Sequence, residues 1–136
     1  IFPRSELKVV SRYGPGEGQV DQAKVNFAAF SLAGMEFTAM DNATGGDFSF
    51  NEAFSFIVHC SSQEEIDYYW NKLSAVPEAE QCGWLKDKYG VSWQIVPGNF
   101  DVILEQSSPE ERSRMVQAFL GMKKIDLAAM EKARRG

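Results

Sequence analysis

Between Gln81 and Pro97 the chain joins two tryptophans, a cysteine, a charged turn and an alternating run into one unbroken unit. Val91, Trp93 and Ile95 alternate with Ser92, Gln94 and Val96, the period of a strand with one buried face. The first set is expected inside, with Ser92 and Gln94 turned to the opposite surface. Pro97 has no amide to continue a ladder and ends the strand. Asp87, flanked by Lys86 and Lys88 and followed by Gly90, reads as part of a charged hairpin turn, not as half of an acid–base pair.

The rest of the chain supplies partners for this strand. Residues 7–13 read as a short strand ending in Gly14-Pro15-Gly16-Glu17-Gly18. Such a loop can cradle a phosphate, but no helix pattern follows it, so a turn between strands is expected. Residues 24–32 and 35–40 are apolar runs joined at Ala33-Gly34, a tight hairpin in which glycine supplies the positive φ. Residues 41–51, rich in Asn, Thr, Gly and Ser, read as a connector, and 53–60 as the next strand. Ser62 is placed to cap the Glu65 amide while Glu65 reaches back to it. The helix that follows carries Ile66, Tyr69, Trp70 and Leu73 on one stripe, with Lys72 near its end, and should lie across a sheet.

Past Pro97 the pattern is helical. Ser108-Pro109-Glu110-Glu111 combines an N-cap, a proline at the first helical position and a capping glutamate, with Met115, Val116, Phe119 and Leu120 as the expected buried face. Asp126 is expected to cap a last helix whose apolar side is Leu127, Met130 and Ala133. An exposed apolar stripe on such a tail is a place for a partner subunit.

At 136 residues and 44% hydrophobic content, one domain spanning 1–136 can bury a core without disulfides or metals. A net charge of -5 argues against nucleic acid as a partner. The basic cluster Lys132, Arg134 and Arg135 suits the C-terminal end of a helix dipole. Cys60 and Cys82 are too few for a disulfide framework and match no zinc spacing, which points to a reduced, cytoplasmic setting. No apolar run approaches the ~20 residues that span a bilayer, and no charged-then-apolar leader is seen, so no membrane association is expected.

Four segments together carry a resemblance: Phe48-Ser49-Phe50-Asn51-Glu52-Ala53-Phe54-Ser55-Phe56, Gln63-Glu64-Glu65-Ile66-Asp67-Tyr68-Tyr69-Trp70, Gln81-Cys82-Gly83-Trp84-Leu85-Lys86-Asp87 and Trp93-Gln94-Ile95-Val96-Pro97. In this order they resemble the PhnB-like, or demethylubiquinone-methyltransferase-like, branch of the vicinal oxygen chelate superfamily, which includes glyoxalases and bleomycin-resistance proteins. The likeness extends to Met122-Lys123-Lys124-Ile125-Asp126. It implies an α+β fold of paired βαβββ modules, each curling a small sheet around a ligand-holding cup. Residues 1–47 would be a partial first module, 48–98 the second and 99–136 a helical tail. It further implies a strand and helix of about 20 residues ahead of Ile1-Phe2-Pro3, or completion of the first module by another segment or subunit.

Metal-dependent relatives hold a divalent ion through His and Glu side chains facing into the cup. By that resemblance the last-strand glutamate position falls on Gln94, a neutral amide and a poor ligand for a hard cation, and the usual histidine position falls near Ala53. His59, the single histidine, lies at the far end of its strand and reads as a surface or edge residue. Glu52 and Asp41 offer carboxylates without a spacing that demands a metal. Cys82 has no histidine nearby in sequence to activate it and reads as a small packed cysteine. Trp84 and Trp93 are read equally as core aromatics and as flat walls for a planar ligand.

The expected inward surface therefore carries Met40, Asn42, Ser55, Ile57, Ser92 and Gln94, two apolar side chains and four neutral hydrogen-bonding groups. No acid and base stand together on it. No glycine-rich strand-to-helix turn with a following acid is present for S-adenosylmethionine, so methyl transfer is not expected. The expectation is a homodimeric small-molecule-binding protein with no cofactor. The alternatives are a divalent-metal-dependent lyase, isomerase or dioxygenase-like enzyme completed by residues outside this sequence, and a structural module whose cup is filled.

Overall fold

The computed structural model describes residues 1–17, 19–20 and 23–136, which form two compact units, Ile1–Phe48 and Ser49–Gly136. Gly18, the last glycine of the 14–18 loop, lies outside the described residues.

The first unit is a three-stranded antiparallel sheet in the order β1 (Glu6–Arg12), β2 (Val25–Leu32) and β3 (Met35–Ala39). Ala33 at φ 51 and Gly34 at φ 86 form the two-residue turn of the β2–β3 hairpin. Positive φ at both central residues matches the twist of the flanking strands, so here an alanine shares the conformation expected of glycine. The register sets Phe30 opposite Phe37, and their rings stack at 5.6 Å. Asp41 ties the far end of the hairpin, its carboxylate accepting the amides of Lys24 and Val25 at 2.7 Å each.

The second unit runs β4 (Ser55–Cys60), α1 (Gln63–Leu73), a 3-10 turn at Pro77–Ala79, β5 (Trp84–Lys86), β6 (Ser92–Pro97), α2 (Phe100–Gln106), α3 (Pro109–Leu120) and α4 (Leu127–Arg135). Its sheet has the order β4-β6-β5, with β4 parallel and β5 antiparallel to β6. Of the βαβββ pattern implied for 48–98, strand, helix, strand and strand are present among the described residues. In place of a further strand, Gly98 turns back, its amide donating to the Cys60 carbonyl at 2.8 Å, and α2 begins.

The helix ends follow their capping residues. Ser62 accepts the Glu65 amide at 3.3 Å, but the Glu65 carboxylate turns one residue further back than expected, to the Ser61 amide and hydroxyl at 2.7 and 2.8 Å. Ser108 and Glu111 form a complete capping box on α3, and Asp126 caps α4 through the Ala129 amide. Arg114 donates from Nε to the Ala133 carbonyl at 2.9 Å, capping the last turn of α4 from α3.

Alternation gives the β4-β6-β5 sheet two faces. Cys60, Leu85, Trp93 and Ile95 lie on one, which α1 covers with its own buried Ile66, Trp70 and Leu73. The segment between α3 and α4 straps onto the edge of this core. The amides of Cys82 and Gly83 donate to the Met122 and Lys123 carbonyls at 2.8 Å each, and Ile125 is fully buried. The Gln63 side chain fixes the same strap, donating to the Ile125 carbonyl at 3.1 Å and accepting the Leu127 amide at 2.9 Å.

The buried face expected for α3 is narrower than its apolar pattern. Met115 is buried, Phe119 is half-buried against Phe100, and Val116 and Leu120 are 37% and 59% exposed. A pattern marks what a helix is able to bury; α3 packs chiefly on α4, whose stripe of Leu127, Met130 and Ala133 covers only one side.

Candidate functional site

The face of the second unit's sheet that α1 leaves uncovered carries Ser55 and Ile57 from β4, Ser92 and Gln94 from β6, and Trp84 and Lys86 from β5. The register fixes their neighbours: Ser55 stands opposite Ser92, and Gln94 lies between Ile57 on one side and Trp84 on the other. Lys86 is opposite Ser92. Register partners project to the same side of a sheet, so five sequence-predicted residues, Ser55, Ile57, Trp84, Ser92 and Gln94, share one surface.

The polar groups here are neutral and partly paired. The Gln94 amide donates from Nε2 to the Ser55 hydroxyl at 2.9 Å. Ser92 is 2% exposed, and its hydroxyl has no hydrogen-bond partner among the described residues. Trp84 is half-buried and Ile57 is 53% exposed, giving the pair an apolar flank on each side. Lys86 is engaged by Glu52, and that hydrogen bond holds the Glu52 carboxyl below the usual range.

Trp93 does not reach this surface. The period of two sends it to the α1 side, where it is 8% exposed, its ring 5.1 Å from that of Phe56 and its indole N–H donating to Asp87 Oδ2 at 2.9 Å. The reading of Trp93 as a ligand wall is therefore corrected to a core residue. Asp87 is buried, and its Oδ1 accepts the amides of Tyr89 and Val91 at 2.8 and 3.0 Å. It organises the turn of residues 87–90 and the adjoining core, a role the sequence signals only through an aspartate three residues before a glycine.

Met40 and Asn42 belong to the first unit. Met40 is exposed, and Asn42 Oδ1 accepts from the Thr44 amide and hydroxyl at 3.2 and 3.1 Å. His59 is exposed at the end of β4. The Cys82 thiol lies 3.7 Å from the Leu120 carbonyl, at a residue whose φ of 51 serves the strap. Cys60 is buried, and desolvation pushes its thiol up to about 11.

A hard divalent ion needs several charged oxygen or imidazole donors converging on one point. Among the described residues no three His, Cys, Asp or Glu side chains stand close enough to provide that. Glu52 is committed to Lys86. Two backbone amides occupy Asp41 and lower its carboxyl, and Gln94 is held by Ser55. Among the described residues, no set of charged donors converges on this face.

The family model described as 3-demethylubiquinone-9 3-methyltransferase matches residues 1–96. The chain is also similar to a solved structure described as a putative 3-demethylubiquinone-9 3-methyltransferase, PhnB protein, from Bacillus cereus. Identity is 37% over 71% of this chain and 81% of that one, with a TM-score of 0.57. The chain belongs to the PhnB-like family of the glyoxalase superfamily. A second solved structure, a protein from Staphylococcus aureus, is 25% identical over 72% of this chain and 78% of that one, with a TM-score of 0.27. No curated protein matches. The PhnB-like match contains the whole uncovered sheet face and stops at Val96, so α2, α3 and α4 lie beyond it. Among the described residues no helix is long and apolar enough to cross a membrane.

Proposed function

We propose that this PhnB-like protein binds a small, uncharged molecule on the face of the β4-β6-β5 sheet turned away from α1, without a divalent metal at the Gln94 position. The Gln94–Ser55 hydrogen bond carries this reading. With Nε2 engaged by Ser55, Gln94 Oε1 is left to accept and the Ser55 hydroxyl to donate. Exchanging the amide oxygen and nitrogen reverses the pair but still presents one donor and one acceptor. A ligand with an adjacent donor and acceptor, such as an amide or a hydroxy-ketone, complements both, while Trp84 and Ile57 supply apolar contact.

Methyl transfer, the activity for which the Bacillus cereus relative is named, is not proposed, because no glycine-rich strand-to-helix turn with a following acid is present. A homodimer is proposed on separate grounds, the exposed Val102, Val116 and Leu120 of the tail, and a cytoplasmic setting on the free thiols of Cys60 and Cys82. Sedimentation of the protein as a stable monomer at micromolar concentration would remove that part.

The binding reading is tested by metal analysis of protein purified without chelator, paired with a thermal-shift screen of small amides and hydroxy-ketones on wild type and Gln94→Ala. Stabilisation of wild type, lost in the variant, with substoichiometric metal is expected. A stoichiometric ion released by Gln94→Ala would replace this reading with a metal-dependent enzyme.

A further inference from the structure

The parallel strands β4 and β6 end side by side, Cys60 opposite Pro97, and each is followed by a helix. The chain leaves the strand ends through Ser61 and through Gly98-Asn99, and beside these two segments a hollow of about 200 Å³ is walled by α2, α3 and α4. Its inner wall is Phe100, Ile103, Met115, Leu127 and Met130. Met115 and Met130 are almost wholly buried, while Ser61 and Asn99 are exposed and mark the mouth. A shallower hollow lined by His59 and Cys60 shares those two mouth residues.

We propose that this hollow is a second ligand site, specific for a small uncharged aromatic compound with one hydrogen-bonding substituent, of phenol or indole size. An apolar cavity of roughly 150 Å³ holds a single benzene ring, so about 200 Å³ suits a slightly larger ring system. Two methionines in the wall add adaptable, polarisable contact with an aromatic face. The Asn99 side chain makes no hydrogen bond to the start of α2 and none to any other described residue, which leaves its amide available to the substituent. Glu131 lines the same hollow and disfavours an anionic substituent, and its carboxylate is already held by Arg134 and Arg135 at 3.5 and 2.8 Å. Eight of the nine lining residues lie beyond Val96, where the match to the family model ends.

The test is titration of the whole chain with indole, followed through the methyl resonances of Met115 and Met130. Saturable shifts of both methyls with a dissociation constant of roughly millimolar or tighter are expected for a ligand of this size. Ile103→Trp, which fills the hollow from a helix with no buried residue of its own, should weaken binding by about tenfold or more, and Gln94→Ala should leave it unchanged. If Ile103→Trp does not fold, Leu127→Phe fills the hollow from the opposite side. Absence of saturable shifts in wild type, undiminished binding in a folded filled variant, or loss of binding in Gln94→Ala overturns the proposal.

Discussion

Gly83 sits where three segments meet, and replacing it with alanine separates two physical costs. Its φ is +82, and a Cβ there would stand 3.0 Å from Ile125 Cδ1 and 3.0 Å from the Ile95 carbonyl oxygen. Gly90 in the same unit has φ +85, but a Cβ there meets only Phe50 Cβ, at 3.9 Å, an ordinary contact. Both alanines incur the left-handed backbone penalty, roughly 1–2 kcal/mol. Only Gly83→Ala must also displace its neighbours. Ile125 is fully buried, and the Ile95 amide already donates to the Gly83 carbonyl at 2.8 Å, so the carbonyl of Ile95 has little freedom to retreat. Overpacking of this kind adds roughly 1–3 kcal/mol.

Gly83→Ala should therefore cost roughly 2–5 kcal/mol and Gly90→Ala roughly 1–2 kcal/mol. Against a total stability of roughly 5–15 kcal/mol, the first is a large fraction and the second a minor one. Urea denaturation followed by tryptophan fluorescence reads this unit selectively, since Trp70, Trp84 and Trp93 all lie in it. The midpoint should fall much further for Gly83→Ala, with the slope unchanged. Equal losses in the two variants would refute the close approach of Gly83 to β6 and the tail strap.

Asp87→Asn keeps an acceptor for the turn amides but sets an amide N–H against the Trp93 indole, leaving a buried donor unpaired at a cost of about 1–3 kcal/mol. Urea midpoints will show it, and the substitution should cost less in a Trp93→Phe background. Ser92→Ala removes a buried hydroxyl that has no partner among the described residues and should be neutral, or stabilising by up to about 1 kcal/mol, in ligand-free protein; a comparable loss would mean that the hydroxyl is paired. The Cys60 thiol is raised from its ordinary 9.0 to about 11 by burial, so the unfolded chain loses this proton first. Stability should then be unaffected by Cys60 below pH 9 and fall as pH rises from 9 towards 11. Cys60→Ala should flatten that fall in denaturation curves taken across the window.

Local chemistry made much of this fold legible. The Ala33-Gly34 turn, the Ser62, Ser108 and Asp126 caps and the stripe of α1 each depend on residues within a few positions of one another. Alternation through β6 also put Trp93 on the buried side, and only the appeal of an aromatic wall argued for the other. What stayed hidden was long-range. Gln63 and Ile125 are 62 positions apart, and nothing in either segment announces that a side-chain amide will hold the strap. The exposure of Val116 and Leu120 was hidden for a related reason, because amphipathic spacing gives no sign of whether a second surface exists to cover it.

The uncovered sheet face has a logic in its charges. Lys86 is the cation that its strands contribute, and Glu52 already neutralises it. A glutamate in place of Gln94 would sit half-buried beside the Ser55 hydroxyl with no free cation on the neighbouring strands, and would be stable there only if protonated or joined to a metal. Glutamine keeps the shape of that side chain and removes the demand for a counter-charge. The same reasoning applies to a ligand: an anion on this surface would meet no unpaired positive group from β4, β5 or β6, whereas an uncharged donor–acceptor pair meets its complement in Gln94 and Ser55. Gln94→Glu should therefore weaken binding of an uncharged ligand at pH 7 and, if it creates an ion site, make the protein's melting temperature respond to added divalent metal where wild type does not. A wild-type response to the metal as large as that of Gln94→Glu would show that the amide at position 94 is not what decides the chemistry of this face.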